Sequence, residues 1–65
     1  VNDSEKLKHL LNHWMVHNLD HAEIYREWAA KTASSGNDDL SKVLEKLCDE
    51  TKKLNILIEE ALKKV

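Results

Sequence analysis

The chain has 65 residues, with no proline, one glycine and one cysteine, and 34% of its residues are charged. Its formal net charge is −2 and no basic stripe is present, so nucleic-acid binding is not expected. A domain of this size buries little of its surface and usually depends on disulfides, a metal ion or a second subunit. Because one cysteine cannot form an internal disulfide, a metal ion or a partner remains.

An amphipathic helix is predicted over about residues 4–34, with Asp3 or Ser4 as its N-cap. Apolar residues recur in it at steps of three and four, which places their side chains on one face of a helix. The three aromatic residues of this stripe are expected to fill the core rather than to stack on a ligand. The stripe comprises Leu7, Leu10, Leu11, Trp14, Ala22, Tyr25, Trp28 and Ala29.

A turn is predicted over residues 34–38, where Gly36 suits the left-handed conformation that ends many helices. A second helix follows over about residues 38–64, capped by Asn37 or by one of the two aspartates after it. Because the connection is short, the two helices must be antiparallel neighbours. The apolar stripe of the second helix comprises Leu40, Val43, Leu44, Leu47, Leu54, Ile58, Ala61, Leu62 and Val65.

Polar residues interrupt both stripes near the middle of the predicted hairpin. Asn18 and His21 fall inside the first stripe, and Thr51 falls inside the second. A tight turn pairs positions whose numbers sum to about 72, which places His21 opposite Thr51. We therefore predict that Asn18, His21 and Thr51 form a buried polar layer. This layer would be flanked by His17, Asn55 and Cys48.

Further apolar residues lie outside the two stripes, and one hairpin cannot cover all of them. A second copy of the chain could do so by forming a two-fold dimer. The sequence therefore predicts an all-α protein, in which residues 1–65 form a single antiparallel two-helix hairpin. We expect two hairpins to associate as a homodimer and form a four-helix bundle. The residues outside the stripes are Met15, Val16, Leu19, Ile24, Ile56 and Leu57.

All four histidines lie within 13 residues at steps of four, at positions 9, 13, 17 and 21. Two histidines at this spacing share a helix face, where both imidazoles can bind one transition-metal ion. Imidazole nitrogens, with the Cys48 thiolate as a further donor, favour Zn, Ni or Cu over Mg or Ca. The candidate ligands are His13, His17 and His21. The alternative is that the histidine layer binds no metal and only sets the register of a structural dimer or adaptor module.

The segment HWMVHNLDHAEIYREWA, residues 13–29, resembles a small helical domain of unknown function. The similarity lies in its HWxxHN, xxH and YxxWA elements, followed by a short glycine-containing turn and a second helix. It would extend over nearly the whole chain, although His9 is not part of the pattern. The resemblance implies an association with metal-handling modules, nickel among them, and no established activity. It also implies a role for His13, His17 and His21, with Tyr25 and Trp28.

Catalysis is not expected, because the sequence has no glycine-rich phosphate loop, no nucleophile elbow and no Glu-x-x-His repeat of di-iron bundles. No apolar run approaches the ~18 residues of a membrane span, so we expect no membrane partner. A lone thiol suits a reducing environment, which favours a cytoplasmic location. The expected partner is a second copy of the chain, with a larger protein as a further option.

Overall fold

Two antiparallel helices form the fold in a computed structural model, which describes residues 2–65. Helix α1 spans Asp3–Ser34 and helix α2 spans Asp38–Lys64, so the predicted helical hairpin is confirmed. The side chain of Asn37 caps α2 as expected, since its Oδ1 accepts a hydrogen bond from the Leu40 backbone N–H at 3.2 Å. The predicted cap of α1 was wrong. Asn2 takes this position, and its Oδ1 accepts from the Glu5 N–H at 2.8 Å.

The turn closes α1 with two backbone hydrogen bonds that require a left-handed residue. The Gly36 N–H donates to the Ala33 carbonyl at 3.0 Å, and the Asn37 N–H donates to the Thr32 carbonyl at 2.9 Å. This pair of bonds is the Schellman motif, in which the residue after the helix adopts a positive φ. Gly36 has a φ of 89°, a region that residues with a Cβ rarely occupy. The glycine thus reverses the chain without backbone strain.

The two helices pack along a narrow line of mostly small and polar side chains, which we call the seam. Because alanine side chains are short, Ala22 and Ala29 let the two backbones approach closely, and they are only 1% and 3% exposed. The Ser41 hydroxyl consequently reaches across and donates to the Ala29 carbonyl at 2.7 Å. The buried residues of the seam are Leu11, Ala22 and Ala29 from α1, with Ser41, Cys48, Thr51 and Asn55 from α2.

An asparagine pair joins the two helices near mid-length. The Asn18 side-chain amide donates to the Asn55 Oδ1 at 3.0 Å, and the Asn55 amide donates to the Met15 carbonyl at 3.1 Å. The Thr51 hydroxyl is satisfied within its own helix, because it donates to the Leu47 carbonyl at 2.7 Å. These pairings agree with the expected register. They show that a polar layer does cross the middle of the hairpin, built from Asn18, Thr51 and Asn55.

The place predicted for His21 in this layer was wrong. His21 and His17 are both exposed, and Asn18 faces Asn55 across the seam. The prediction requires the centre of the apolar stripe of α1 to face α2. The helices instead meet along the flank of the stripe that carries the small residues. The imidazole of residue 21 therefore points away from the seam.

Most of the large apolar side chains of the stripes, Leu11 excepted, are also outside the seam, contrary to the prediction. Trp14 and Trp28, expected to fill the core, are 44% and 53% exposed. Among residues 2–65 no large side chain is fully buried. We call the following exposed set the apolar face: Leu7, Leu10, Trp14 and Trp28 of α1, with Leu40, Val43, Leu47 and Leu54 of α2.

The residues of the apolar face lie on a single side of the hairpin. At 3.6 residues per turn, those of α1 are rotated by roughly 80° from the seam residues of the same helix. The apolar-face residues of α2 are rotated from the seam residues of α2 by a similar angle, in the same direction when each helix is viewed from its N-terminus. Because the helices run in opposite directions, these two rotations turn toward the same side. The exposed large residues of the two stripes thus form one broad surface.

Removal of the Asn55 side chain should destabilise the hairpin. We expect Asn55→Ala to lower the free energy of unfolding by about 2 kcal/mol, because it leaves the Asn18 amide without its partner and removes the second hydrogen bond to the Met15 carbonyl. Urea denaturation followed by circular dichroism measures this change. Asn12→Ala is the matched control, since the Asn12 amide donates only to the exposed Lys8 carbonyl within its own helix. An equal loss in both variants would contradict a specific role for the asparagine pair.

Candidate functional site

The four histidines occupy successive turns of α1 and rotate gradually across its surface. A step of four residues advances the side chain by about 40° around a helix, so the series is not collinear. His9 and His13 lie further toward the side of α1 opposite the seam. His17 and His21 lie on the same side of α1 as the apolar face. These last two histidines bracket the midpoint of the helix, which spans Asp3–Ser34.

His17 and His21 form a close pair of imidazoles. Their Nε2 atoms are 3.1 Å apart, their ring centroids are separated by 4.4 Å, and the ring planes meet at 74°. Both side chains are exposed, so a ligand can approach these nitrogens from solvent. The sequence predicted that the two residues share a helix turn. The structure adds that the same nitrogen of each ring points toward a common location.

Tyr25 orients the second ring of this pair. Its hydroxyl lies 3.2 Å from His21 Nδ1, the ring nitrogen that is not directed toward His17. A partner on Nδ1 fixes the ring orientation and leaves Nε2 available for another contact. The sequence pattern predicts Tyr25 as a core residue. Its position four residues after His21, which continues the step of the histidines, was the signal of this contact.

The remaining predicted ligand, His13, lies beside the pair but outside its nitrogen contact. Its ring stacks at an angle of 28° to that of His17, with the centroids 6.0 Å apart. Cys48, considered as a sulfur donor, is buried in the seam. In the described part of the chain, no three His, Cys, Asp or Glu side chains group closely enough to hold a metal ion. One hairpin therefore offers two converging nitrogens at this location.

Two arrangements of protons and ligands fit this geometry. A metal ion bound by both nitrogens would hold them at a similar distance, because two zinc–imidazole bonds of about 2.0–2.1 Å at the tetrahedral angle place the ligand nitrogens about 3.3 Å apart. Alternatively, one ring protonated at Nε2 would donate a hydrogen bond to the other. The first arrangement makes His17 and His21 a chelating pair. The second makes them a structural contact.

Comparison with known proteins identifies the family. Residues 7–65 match a family described as a domain of unknown function, DUF8180. The chain belongs to this family. The DUF8180 chain is also 37% identical over 60 residues to an uncharacterized protein of Archaeoglobus fulgidus, an alignment that spans 92% of this chain and 89% of the relative. No solved structure matches it.

The family match extends over all four histidines, the turn and the whole of α2. The DUF8180 domain thus includes every residue of the seam and of the apolar face. Neither helix of the described chain combines the length and the hydrophobicity needed to cross a membrane. The nickel association implied by the resemblance stays a prediction.

Proposed function

We propose that this DUF8180 domain is a non-catalytic helical module that binds a transition-metal ion through His17 and His21. The observation that supports the proposal is the 3.1 Å separation of the two Nε2 atoms. Two imidazole nitrogens bound to one zinc ion lie at about this distance, as bond lengths of about 2.0–2.1 Å require. His13, one turn away, is the nearest further histidine that could join them.

The contact between Tyr25 and His21 also supports metal binding. Histidines that bind metals usually engage their other ring nitrogen with an oxygen partner, which holds the ring in place. The hydroxyl of Tyr25 occupies this position at 3.2 Å. A site of neutral imidazoles suits Zn, Ni or Cu. The resemblance noted in the sequence adds nickel handling as the proposed setting, in the cytoplasm.

A structural homodimerisation or adaptor module is the second candidate function. The exposed apolar face favours it, because contiguous apolar patches of this kind usually mark interaction sites. In that case His17 and His21 would be joined by a hydrogen bond and would bind no ion. The two candidates differ in one property, namely whether a metal ion stabilises the folded protein.

Thermal unfolding with and without Zn²⁺, Ni²⁺ or Cu²⁺ distinguishes these functions. A ligand of the folded state stabilises it by about 2.7 kcal/mol when present at about 100 times its dissociation constant. We expect such a rise in the free energy of unfolding for the natural sequence with at least one of these ions. The rise should disappear when the ion is removed with a chelator. It should also disappear in the double variant His17→Ala/His21→Ala.

A matched control uses the other histidines of the series. The double variant His9→Ala/His13→Ala removes two imidazoles at the same spacing but leaves the close pair intact. It should keep at least half of the stabilisation by the ion. Equal loss in both double variants would contradict the assignment of the site to His17 and His21. If the natural sequence is not stabilised by any of the three ions, metal binding is wrong and the structural candidate remains.

A further inference from the structure

The metal site proposed above is incomplete in a single hairpin. Zinc in closed protein sites is held by four ligands, and imidazole-rich sites of related ions also need more than two. One chain supplies His17 Nε2 and His21 Nε2, and no third ligand group accompanies them within residues 2–65. The missing ligands must be water molecules or side chains from another protein. The position of the pair on the hairpin decides between these two sources.

The pair lies on the same side of α1 as the apolar face, near the middle of that helix. In α1, apolar residues of the face precede it at Leu7, Leu10 and Trp14 and follow it at Trp28. In α2, Leu40, Val43 and Leu47 lie on the turn side of the pair, and Leu54 lies at about its level. In a symmetric dimer, a surface patch of one copy contacts the same patch of the other copy. A polar pair flanked by apolar residues suits such a contact, because polar groups then meet polar groups and apolar residues meet apolar residues.

The size of this face also fits a second copy. The hairpin measures 52 × 16 × 10 Å, so its broad side covers roughly 800 Å². This is about the area that each partner contributes to a stable interface of standard size. The seam buries few large side chains, so a single hairpin has little hydrophobic stabilisation of its own. A second copy would cover the eight residues of the apolar face in each chain.

A two-fold rotation would bring the histidine pairs of the two copies to one level. If the axis runs along the helices, every residue keeps its height, but α1 faces α2 of the second copy and the two pairs lie diagonally apart. If the axis crosses the helices at mid-length, the pairs meet at the axis, because residues 17 and 21 bracket the midpoint of α1. The arrangement with the crossing axis therefore brings four imidazoles together at the interface.

We propose that two copies of the chain associate through the apolar face and complete a single metal site from His17 and His21 of each copy. This inference rests on the proposed function, and it adds that the occupant of the face is a second copy. The expected stoichiometry is one ion for every two chains. Because each chain contributes half of the ligands, ion binding and dimer formation should strengthen one another.

Native mass spectrometry of a mixture tests this assembly. The natural chain is mixed with the double variant His17→Ala/His21→Ala, unfolded and refolded together, and given Zn²⁺ or Ni²⁺. The natural dimer should hold one ion, the mixed dimer should bind it at least tenfold more weakly, and the variant dimer should bind none. The dimers differ in mass, so all three are compared in one spectrum.

The possible results separate the dimer site from the proposed function. A mixed dimer that binds the ion as tightly as the natural dimer would overturn the shared site and leave metal binding by one chain intact. The same holds for two ions in each dimer, or for a monomer that binds one ion. Dimers without any ion would overturn both proposals. Because the natural chain and the variant are measured together, failure of the variant to fold would appear as the absence of mixed dimers. In that case the number of ions in the natural dimer tests the shared site, since one ion supports it and two or none contradict it.

Discussion

Leu47→Glu is expected to weaken the dimer strongly. Leu47 lies on the apolar face, where it is 42% exposed in the single hairpin. Loss of its burial would cost about 1.5–3 kcal/mol in each copy. Because both copies of a symmetric dimer carry the substitution, the total is about 3–6 kcal/mol, an increase of at least ~100-fold in the dissociation constant. Sedimentation equilibrium over a range of protein concentrations measures this constant.

Leu19→Glu is the control for this experiment. Leu19 is similarly apolar and 52% exposed, but it belongs to α1 outside the apolar face. The substitution introduces the same charge into the same small protein, and we expect the dissociation constant to change by less than about threefold, since isolated surface substitutions are usually nearly neutral. A dimer that tolerates Leu47→Glu but dissociates with Leu19→Glu would place the interface on the opposite side of the hairpin.

Ala22→Leu is expected to disrupt the packing of the two helices. Ala22 is only 1% exposed in the seam, one turn after Asn18. A larger side chain would force the helices apart and stretch the hydrogen bond between Asn18 and Asn55. We expect the free energy of unfolding to fall by about 3 kcal/mol, the upper part of the usual range for overpacking. Chemical denaturation at a fixed protein concentration measures the loss.

Ala30→Leu provides the comparison, because Ala30 is exposed on the same helix. Leucine and alanine both favour helices, so the exposed substitution should change stability by less than about 0.5 kcal/mol. If Ala22→Leu has an effect as small as that of Ala30→Leu, the two helices are not in close contact at this position.

The helices and the turn could be predicted because their signals are local. Gly36 and Asn37 mark the end of one helix and the start of the next through the backbone conformation and the cap that they provide. The short turn then fixes which positions lie at the same height. For this reason the register of Asn18 against Asn55 was close to the expected one. The first cap was misplaced by one or two residues because Asn2, Asp3 and Ser4 can all provide a cap.

The rotation of the helices could not be predicted in the same way. A hydrophobic pattern shows which side of a helix avoids water, but it does not show what covers that side. Here the closest helix contact uses Ala22 and Ala29, and hydrogen bonds across the seam fix it. We assigned the whole stripe to contact within one chain. Leu7, Leu10, Trp14 and Trp28 of this stripe remain exposed in a single hairpin, and so does His21.

The histidine pair was predictable in position but not in detail. A spacing of four residues places His17 and His21 on adjacent turns whatever their rotamers are. The direction of each Nε2 atom and the contact of Tyr25 with Nδ1 depend on rotamers, which sequence spacing does not determine. His13 has the same spacing to His17, yet the two rings stack without a nitrogen contact. Spacing alone therefore could not separate the converging pair from its neighbour.

The central claim is that the exposed stripe of each hairpin is covered by a second copy. The two tryptophans of the chain, Trp14 and Trp28, both belong to this face, and their fluorescence tests the claim directly. We predict that their emission is blue-shifted and protected from acrylamide at high protein concentration. It should shift to the red on dilution, with the same midpoint as dimer dissociation. Emission typical of water-exposed tryptophan at every concentration, from a protein that remains helical, would contradict the account.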